Sequence, residues 1–272
     1  MFKKRRSDIQ IKTAGELDGM RAAGLVVGQT LRLLAEAVKP GITTADLDEL
    51  AEESIRAAGA TPSFKGYLGF PASICASVNE EIVHGIPRPT RVLREGDVIS
   101  IDCGAIVDGW HGDAAVTVPV GSTEPEPTRL LEVCEEALWR GLAAGRPGSH
   151  LSDIGHSIES YVRSQGPYGI VEEYVGHGIG TEMHMDPPVP NYGSPGQGPV
   201  LEPGMCFAVE PMVNLGTKET WLLEDEWTVV TRDGLPSAHF EHSFAVTENG
   251  PWVLTALDGG AERLGHVRGQ GS

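Results

Sequence analysis

Basic residues are scarce in this chain. Its 272 residues hold 21 Lys and Arg against 38 Asp and Glu, a formal net charge of −17. That balance argues against a general nucleic-acid binder, because contact with phosphates requires positive charge. Long apolar runs are missing too, and none approaches the roughly 20 residues of a membrane span. The start, Met1-Phe2-Lys3-Lys4-Arg5-Arg6, is basic, but no apolar stretch follows it, so no secretory signal is expected. Cysteine is sparse. Cys75, Cys103, Cys134 and Cys206 form no CxxC pair and sit among apolar neighbours, which suits reduced thiols in a cytosol. No disordered, collagenous or coiled-coil bias is present. These absences point to a soluble, cytoplasmic, globular protein without DNA or membrane partners.

What is present suffices for a substantial core. With 40% hydrophobic and 22% charged residues, the length suits one large domain or two tightly fused halves. Four cations fall within the first six residues, and the rest of the chain then carries 17 against 38, a balance of −21. Residues 1–12 are read as a basic, flexible tail, and Lys3–Arg6 as the place for a transient contact with ribosomal RNA. Leu17, Met20, Gly24, Val27, Leu31, Leu34 and Val38 recur in steps of three and four, a helix that Lys39-Pro40-Gly41 ends. Thr44-Ala45-Asp46 opens a second helix, with Leu47, Ala51, Ile55 and Ala58 on one face and Gly59 as its stop. Residues 64–120 read as strands and turns, and Thr123–Pro127 as a connector.

The plan then repeats. A helix is predicted over Thr128–Ala144, stopped by Arg146-Pro147-Gly148, and Leu151, Ile154, Ile158 and Tyr161 form the next helical stripe. Lys39-Pro40-Gly41, Asp46-Leu47, Arg56 and Gly59 recur as Arg146-Pro147-Gly148, Asp153-Ile154, Arg163 and Gly166 at an offset of 107. Leu93, Gly96 and Asp102 recur as Leu201, Gly204 and Glu210 at an offset of 108. The ordered set implies an internal duplication, two α+β halves related by a pseudo-two-fold axis. The expected organisation is one catalytic domain over 13–258, with half-repeats near 13–122 and 126–257 and a flexible C-terminal tail over 259–272. A cleft between such halves is a natural place for a site.

The repeat sets one acid, Asp102, against another, Glu210. Val98–Asp102 and Trp110–Val116 alternate as strands around Asp108-Gly109, a strong hairpin signal. If those two residues form the loop, Asp102 faces Ala115 and Asp113 faces Gly104. The two aspartates are then diagonal neighbours on one face, about 7–8 Å apart at the backbone. Two carboxylates aimed at one spot repel unless a cation or a proton lies between them. Glu210 in Phe207–Pro211 and Glu241 in Phe240–Val246 interrupt further apolar strands, where an acid rarely lies without a partner. Gly176-His177-Gly178-Ile179-Gly180 presents an imidazole between glycines. Four carboxylates and one imidazole suit two divalent cations with bridging carboxylates, rather than a structural zinc.

Among the other histidines, His84 and His184 stand out by their positions near these motifs. His111, His150, His156 and His266 are read as structural. His239 and His242 flank Glu241 and are expected to be supporting or surface residues rather than ligands. The Gly-rich stretch Asn191–Gly198 reads as a surface loop near the cleft.

Together these residues resemble the type I methionine aminopeptidases of the pita-bread fold, over about residues 12–257. The motifs that carry the resemblance are Asn79–Pro87, Asp102 to His111-Gly112-Asp113, Gly176–Gly180, Phe207–Met212 and Phe240–Ser243. It implies an antiparallel sheet inside and helices outside. It implies that Asp102, Asp113, His177, Glu210 and Glu241 hold two metal ions, with Asp113 and Glu241 bridging. His84 and His184 would contact substrate and stabilise the transition state, and Tyr67, Phe70, Cys75, Met183 and Trp227 would line the pocket for the first residue. Only 26 positions separate His184 from Glu210, too few for the helical insertion of type II enzymes. No large domain precedes the repeat, which argues against aminopeptidase P and prolidase relatives. The sequence departs from the commonest family pattern at Phe70, Met183 and Met185, where a tyrosine, an aromatic and an acid are frequent.

The chemistry agrees with the resemblance. A water shared by two cations becomes a hydroxide near neutral pH and attacks the first carbonyl. Glu210 is suited to carry the proton to the leaving amine. Cobalt, manganese, iron and zinc all suit the ligands. The expected activity is removal of the N-terminal methionine of nascent proteins with a small second residue, by a monomer. The alternatives are a related Xaa-Pro hydrolase and an inactive pita-bread binding protein.

Overall fold

The computed structural model of the protein describes residues 9–269. Helix α1 (Ala14–Ala37) starts at a capping box in which Thr13 and Glu16 satisfy each other's backbone N–H groups. Helix α2 (Thr44–Ala57) starts the same way at Thr43 and Asp46. Helix α3 (Pro125–Ala144) begins three residues before the predicted Thr128, because Pro125 is pre-set for the first helical position and needs no N–H partner. Part of the expected connector is therefore helical. Helix α4 (Leu151–Gln165) follows, with Asp153 accepting the His150 N–H at 2.7 Å.

The described parts of the two expected tails, residues 9–12 and 259–269, are held by contacts. Residues 261–269 form helix α5, which lies on α3 with Leu264 buried and Arg263 3.3 Å from Glu135. At the other end, Lys12 donates its N–H to Gly204 and its buried Nζ to the Ile179 carbonyl at 2.7 Å. Apolar burial at Leu264 and a buried cation tied to a carbonyl are constraints that local composition does not reveal. The Lys3–Arg6 patch lies outside the described residues.

The central sheet has nine strands. Its core is the hairpin Val98–Val107/Trp110–Pro119, in the register expected from the Asp108-Gly109 loop, with Asp102 opposite Ala115 and Gly104 opposite Asp113. Ile74–Val78 pairs with Val98–Val107 on its other side. Trp110–Pro119 pairs with Glu241–Thr247, which pairs with Cys206–Val209, which pairs with Gly176–Gly178. Every one of these pairings is antiparallel. Helix α1 lies directly on the Asp113 strand. A Cβ on Gly112 would stand 2.8 Å from the Gly24 nitrogen, so the glycine permits the contact. One core cluster packs α1 and α2 on the first hairpin, and another packs α3 and α4 around Phe207 and Phe244.

The duplication is visible in backbone hydrogen bonds. Gly41 donates to the Leu93 carbonyl and Leu93 to Ile42, and Gly148 likewise donates to Leu201 and Leu201 to Ser149. Gly96 donates to Val120 as Gly204 does to Val246. Both halves thus turn their helix pair onto the sheet with the same connection, and the acids that follow point into the space between them. Among the described residues, no helix is long and apolar enough to cross a membrane.

Candidate metal centre and substrate cavity

Strand pairing assembles the acids. Asp102 and Glu241 each stand opposite Ala115, one on either side of the strand that carries Asp113. His177 pairs with Ala208, and Ala208 with Ser243. Alanine and serine at the central positions leave the space above the sheet to the longer side chains around them. Ser243 ties the strands together, accepting the Asp113 N–H at 3.1 Å and donating to the Asp113 carbonyl at 2.7 Å.

His177 Nε2 lies 3.9 Å from Asp113 Oδ2 and 3.8 Å from Glu210 Oε1. Its Nδ1 meets the Gly178 carbonyl at 2.9 Å, so Nδ1 carries the proton and the Nε2 lone pair faces the carboxylates. Asp113, Glu241 and His177 are buried, while Asp102 and Glu210 are half-buried. Burial pushes the Asp102 carboxyl up to about 7. Burial, and then the charges of Asp102 and Glu210, hold Asp113 well above the usual carboxylate range. Glu210 and Glu241 are raised in the same way, by burial first and neighbouring acids second. Burial lowers His177 to about 4, which keeps its imidazole neutral.

Four acids in one dry space cannot all ionise with nothing between them. Asp102 Oδ1, Asp113 Oδ1 and Glu241 Oε1 are buried without a hydrogen-bond partner among the described residues. Buried orphan oxygens of this kind need a cation. The ligand atoms of Asp113, His177 and Glu241 fall within 4.8 Å of one another, and so do those of Glu210, His239 and Glu241. Oxygen donors with neutral imidazole fit divalent metal ions.

A cavity of about 220 Å³ opens from the acids. Tyr67, Phe70, Cys75, Met183 and Trp227 all line it, and the edge of Phe70 meets Trp227 with ring centres 5.1 Å apart. Met185 stands outside this apolar cavity, on an open groove with Glu182 and Asp186. His84 also lines the cavity, with backbone φ of 60°, a left-handed conformation uncommon for any residue but glycine. Gly85 holds that turn through its N–H to Ser77 Oγ at 3.0 Å. The His84 ring meets the edges of Tyr174 and Trp227, and burial, then His184, push it down to about 4. His184 stands at the exposed mouth, its Nδ1 3.0 Å from Tyr67 Oη and its ring 4.4 Å from that of His177.

The remaining histidines divide. His111 Nδ1 meets Ser63 Oγ at 3.1 Å, as a structural residue does. His242 is not at the surface but behind the sheet, its Nδ1 2.8 Å from Thr255 Oγ1 and its ring 5.0 Å from Trp139. His239 is 1% exposed and lies at the centre itself, Nε2 3.7 Å from Glu210 Oε2. Its even spacing from Glu241 was the available signal, since alternate strand residues share a face. Phe64, Leu68, Val83, Tyr174 and Val175 complete the cavity and carried no such signal. The Gly-rich loop is anchored on α4, through Gly196 N–H to Asp153 and Gln197 N–H to Ser152.

The profile of Metallopeptidase family M24 matches residues 18–248. The chain is 55% identical over 250 residues to a methionine aminopeptidase of Clostridium acetobutylicum, covering 92% of this chain and all of that one. It is 52% identical over 249 residues to methionine aminopeptidase 1 of Mycobacterium tuberculosis, covering 90% and 94%. Among solved structures, methionine aminopeptidase from Rickettsia prowazekii superposes with a TM-score of 0.89 at 42% identity, covering 91% of this chain and 99% of that chain.

Proposed function

We propose, on the premise that this chain belongs to metallopeptidase family M24 and has its pita-bread fold, that it is a methionine aminopeptidase. The observation that carries this reading is a narrow apolar cavity, lined by Phe, Tyr, Cys, Met and Trp side chains, that ends on a cluster of buried acids. An unbranched thioether suits such walls, because sulfur and aromatic rings attract and methionine adapts to irregular space.

Asp102, Asp113, His177, Glu210 and Glu241 would hold two divalent ions, with Asp113 and Glu241 as the residues able to serve both. Bound, the ions supply a Lewis acid for the scissile carbonyl and lower the pKa of a water to give the nucleophile. Glu210 is the proton carrier, since burial favours its protonated form and its Oε1 faces the centre. His184, oriented by Tyr67, donates from Nε2 to the developing oxyanion, and His84 holds the peptide. The acids also receive the free α-amine, which restricts cleavage to the first bond.

The substrates are N-terminal peptides of nascent proteins whose second residue is small, and the setting is the cytoplasm. The protein acts as a monomer, and Lys3–Arg6 is the segment for transient ribosome contact. Cobalt, manganese, iron and zinc are all suited ions. Release of free methionine from Met-Ala-Ser, by metal-stripped protein and after adding cobalt or manganese, tests the reading. Metal-dependent release with Ala-Pro-Ala untouched is expected. Turnover of Ala-Pro-Ala instead would favour an Xaa-Pro hydrolase, and no turnover of any N-terminal peptide would favour a binding protein.

A further inference from the structure

His239 ends the Ser237–His239 strand, two residues before Glu241. Its backbone is fixed on both sides by Thr117, whose hydroxyl accepts the His239 N–H at 2.9 Å and donates to the His239 carbonyl at 2.7 Å. Ser100 Oγ meets the same hydroxyl at 2.8 Å, so the anchor is itself anchored. The imidazole is 1% exposed, and its Nε2 has no hydrogen-bond partner among the described residues. Nε2 lies 3.7 Å from Glu210 Oε2 and 4.0 Å from Glu241 Oε2. Those separations are too long for hydrogen bonds. They are the separations of donors on two sides of one ion, each bonded at about 2 Å.

His177 offers the comparison within the same molecule. Its Nε2 stands 3.9 Å from Asp113 and 3.8 Å from Glu210. The two imidazoles therefore flank Glu210, each aimed at the space between it and a second acid. A buried ring nitrogen without a hydrogen-bond partner, facing acids that a cation would neutralise, has the chemistry of a ligand.

We propose that His239 is a sixth protein ligand of the metal centre, donating Nε2 to the ion held between Glu210 and Glu241. This inference rests on the metal-centre part of the function proposed above and not on its substrate. The centre then has two imidazoles, His177 and His239. Imidazole favours cobalt, iron and zinc over manganese, so the position that His239 faces discriminates against manganese.

The test uses full-length protein stripped with a chelator and titrated with cobalt or manganese by equilibrium dialysis. The wild type binds two ions. His239→Gln is expected to keep one at unchanged affinity and to bind the other at least about 10-fold more weakly for cobalt, with a smaller loss for manganese. Its cobalt visible spectrum changes accordingly. Unchanged affinities and an unchanged spectrum would overturn the proposal. X-ray absorption of the wild type loaded with two cobalt ions needs no variant, and two imidazoles over the pair of ions support the proposal where a single one overturns it. A wild type that binds no ion overturns the metal centre as a whole, which is a different outcome from a lost distinction between wild type and variant.

Discussion

The two halves bring their acids together by different means. In the first, Asp102 and Asp113 lie on one hairpin closed by two residues, and they are diagonal across it. In the second, Glu210 and Glu241 are 31 positions apart, yet Glu210 follows and Glu241 begins strands that pair from Ala245–Cys206 to His242–Val209. One step further along that register sets Glu210 opposite Glu241. The excursion between them is the material of the site: it contributes Trp227 to the cavity wall and His239 to the centre. Duplication thus yields a symmetric frame, and an insertion in one copy supplies the asymmetry that chemistry needs. The first half offers short, stiffly held aspartates. The second offers longer glutamates and the two imidazoles, His177 and His239, that face the acids.

The bridging roles proposed for Asp113 and Glu241 are the sharpest test of that comparison. Asp113→Ala and Glu241→Ala should each abolish methionine release and metal binding together, because each leaves cations without a shared ligand. Metal analysis beside the peptide assay checks this, and an active, metal-loaded variant in either half would break the equivalence. His184→Ala removes a second-half donor that touches no metal, so the rate should fall by about 10²–10³-fold with metal content unchanged. Loss of metal in that variant would instead move His184 among the ligands.

Protons should stand in for the ions in stripped protein. Asp102 is raised to about 7, and Asp113, Glu210 and Glu241 are held well above the usual carboxylate range, so the folded state binds protons that the unfolded state has released. Their stabilising contribution is present at low pH and is lost as pH rises through the folded values. The buried imidazoles His84, His177 and His242, lowered to about 4, and His239, lowered to about 3, act in the opposite direction, but only below about pH 6.5. Between pH 6.5 and 8, therefore, the denaturation midpoint of stripped protein should fall, and bound metal should flatten the slope. A flat profile without metal would show that the acids are not held apart from water.

The capping boxes give the mildest contrast. Thr43→Ala should cost about 1 kcal/mol by denaturant unfolding, since Thr43 Oγ1 caps α2 through the Asp46 N–H at 3.1 Å. In the second half His150 takes the place of Thr43, and the backbone N–H to Asp153 is kept. His150→Ala should cost less, and an equal cost would mean that the imidazole caps as well as the hydroxyl does.

Much of this was legible in the chain. Asp108-Gly109 set the hairpin register because a two-residue loop allows one pairing, and pairing sets the face of every side chain. Repeated Pro-Gly stops and an aspartate followed by an aliphatic residue, Asp46-Leu47 and Asp153-Ile154, revealed the duplication. Pro125 was misread as part of a connector, because proline breaks a helix everywhere except at its start. Leu264 was lost in a glycine-rich tail, since one apolar residue in a short segment has no periodicity to measure. His239 looked like a bystander beside Glu241, as most histidines near an acid are.

Local order along the chain, then, was enough for the element types, the repeat and the identity of the acids, because turns, caps and strand alternation act between near neighbours. Which groups share one dry space was not. His177, His239 and Glu210 come from separate stretches of the second half and meet Asp102 and Asp113 only when the two halves close on each other, and burial there sets their charge. Desolvation and close approach of like charges are properties of the assembled space, and no stretch of residues carries them alone.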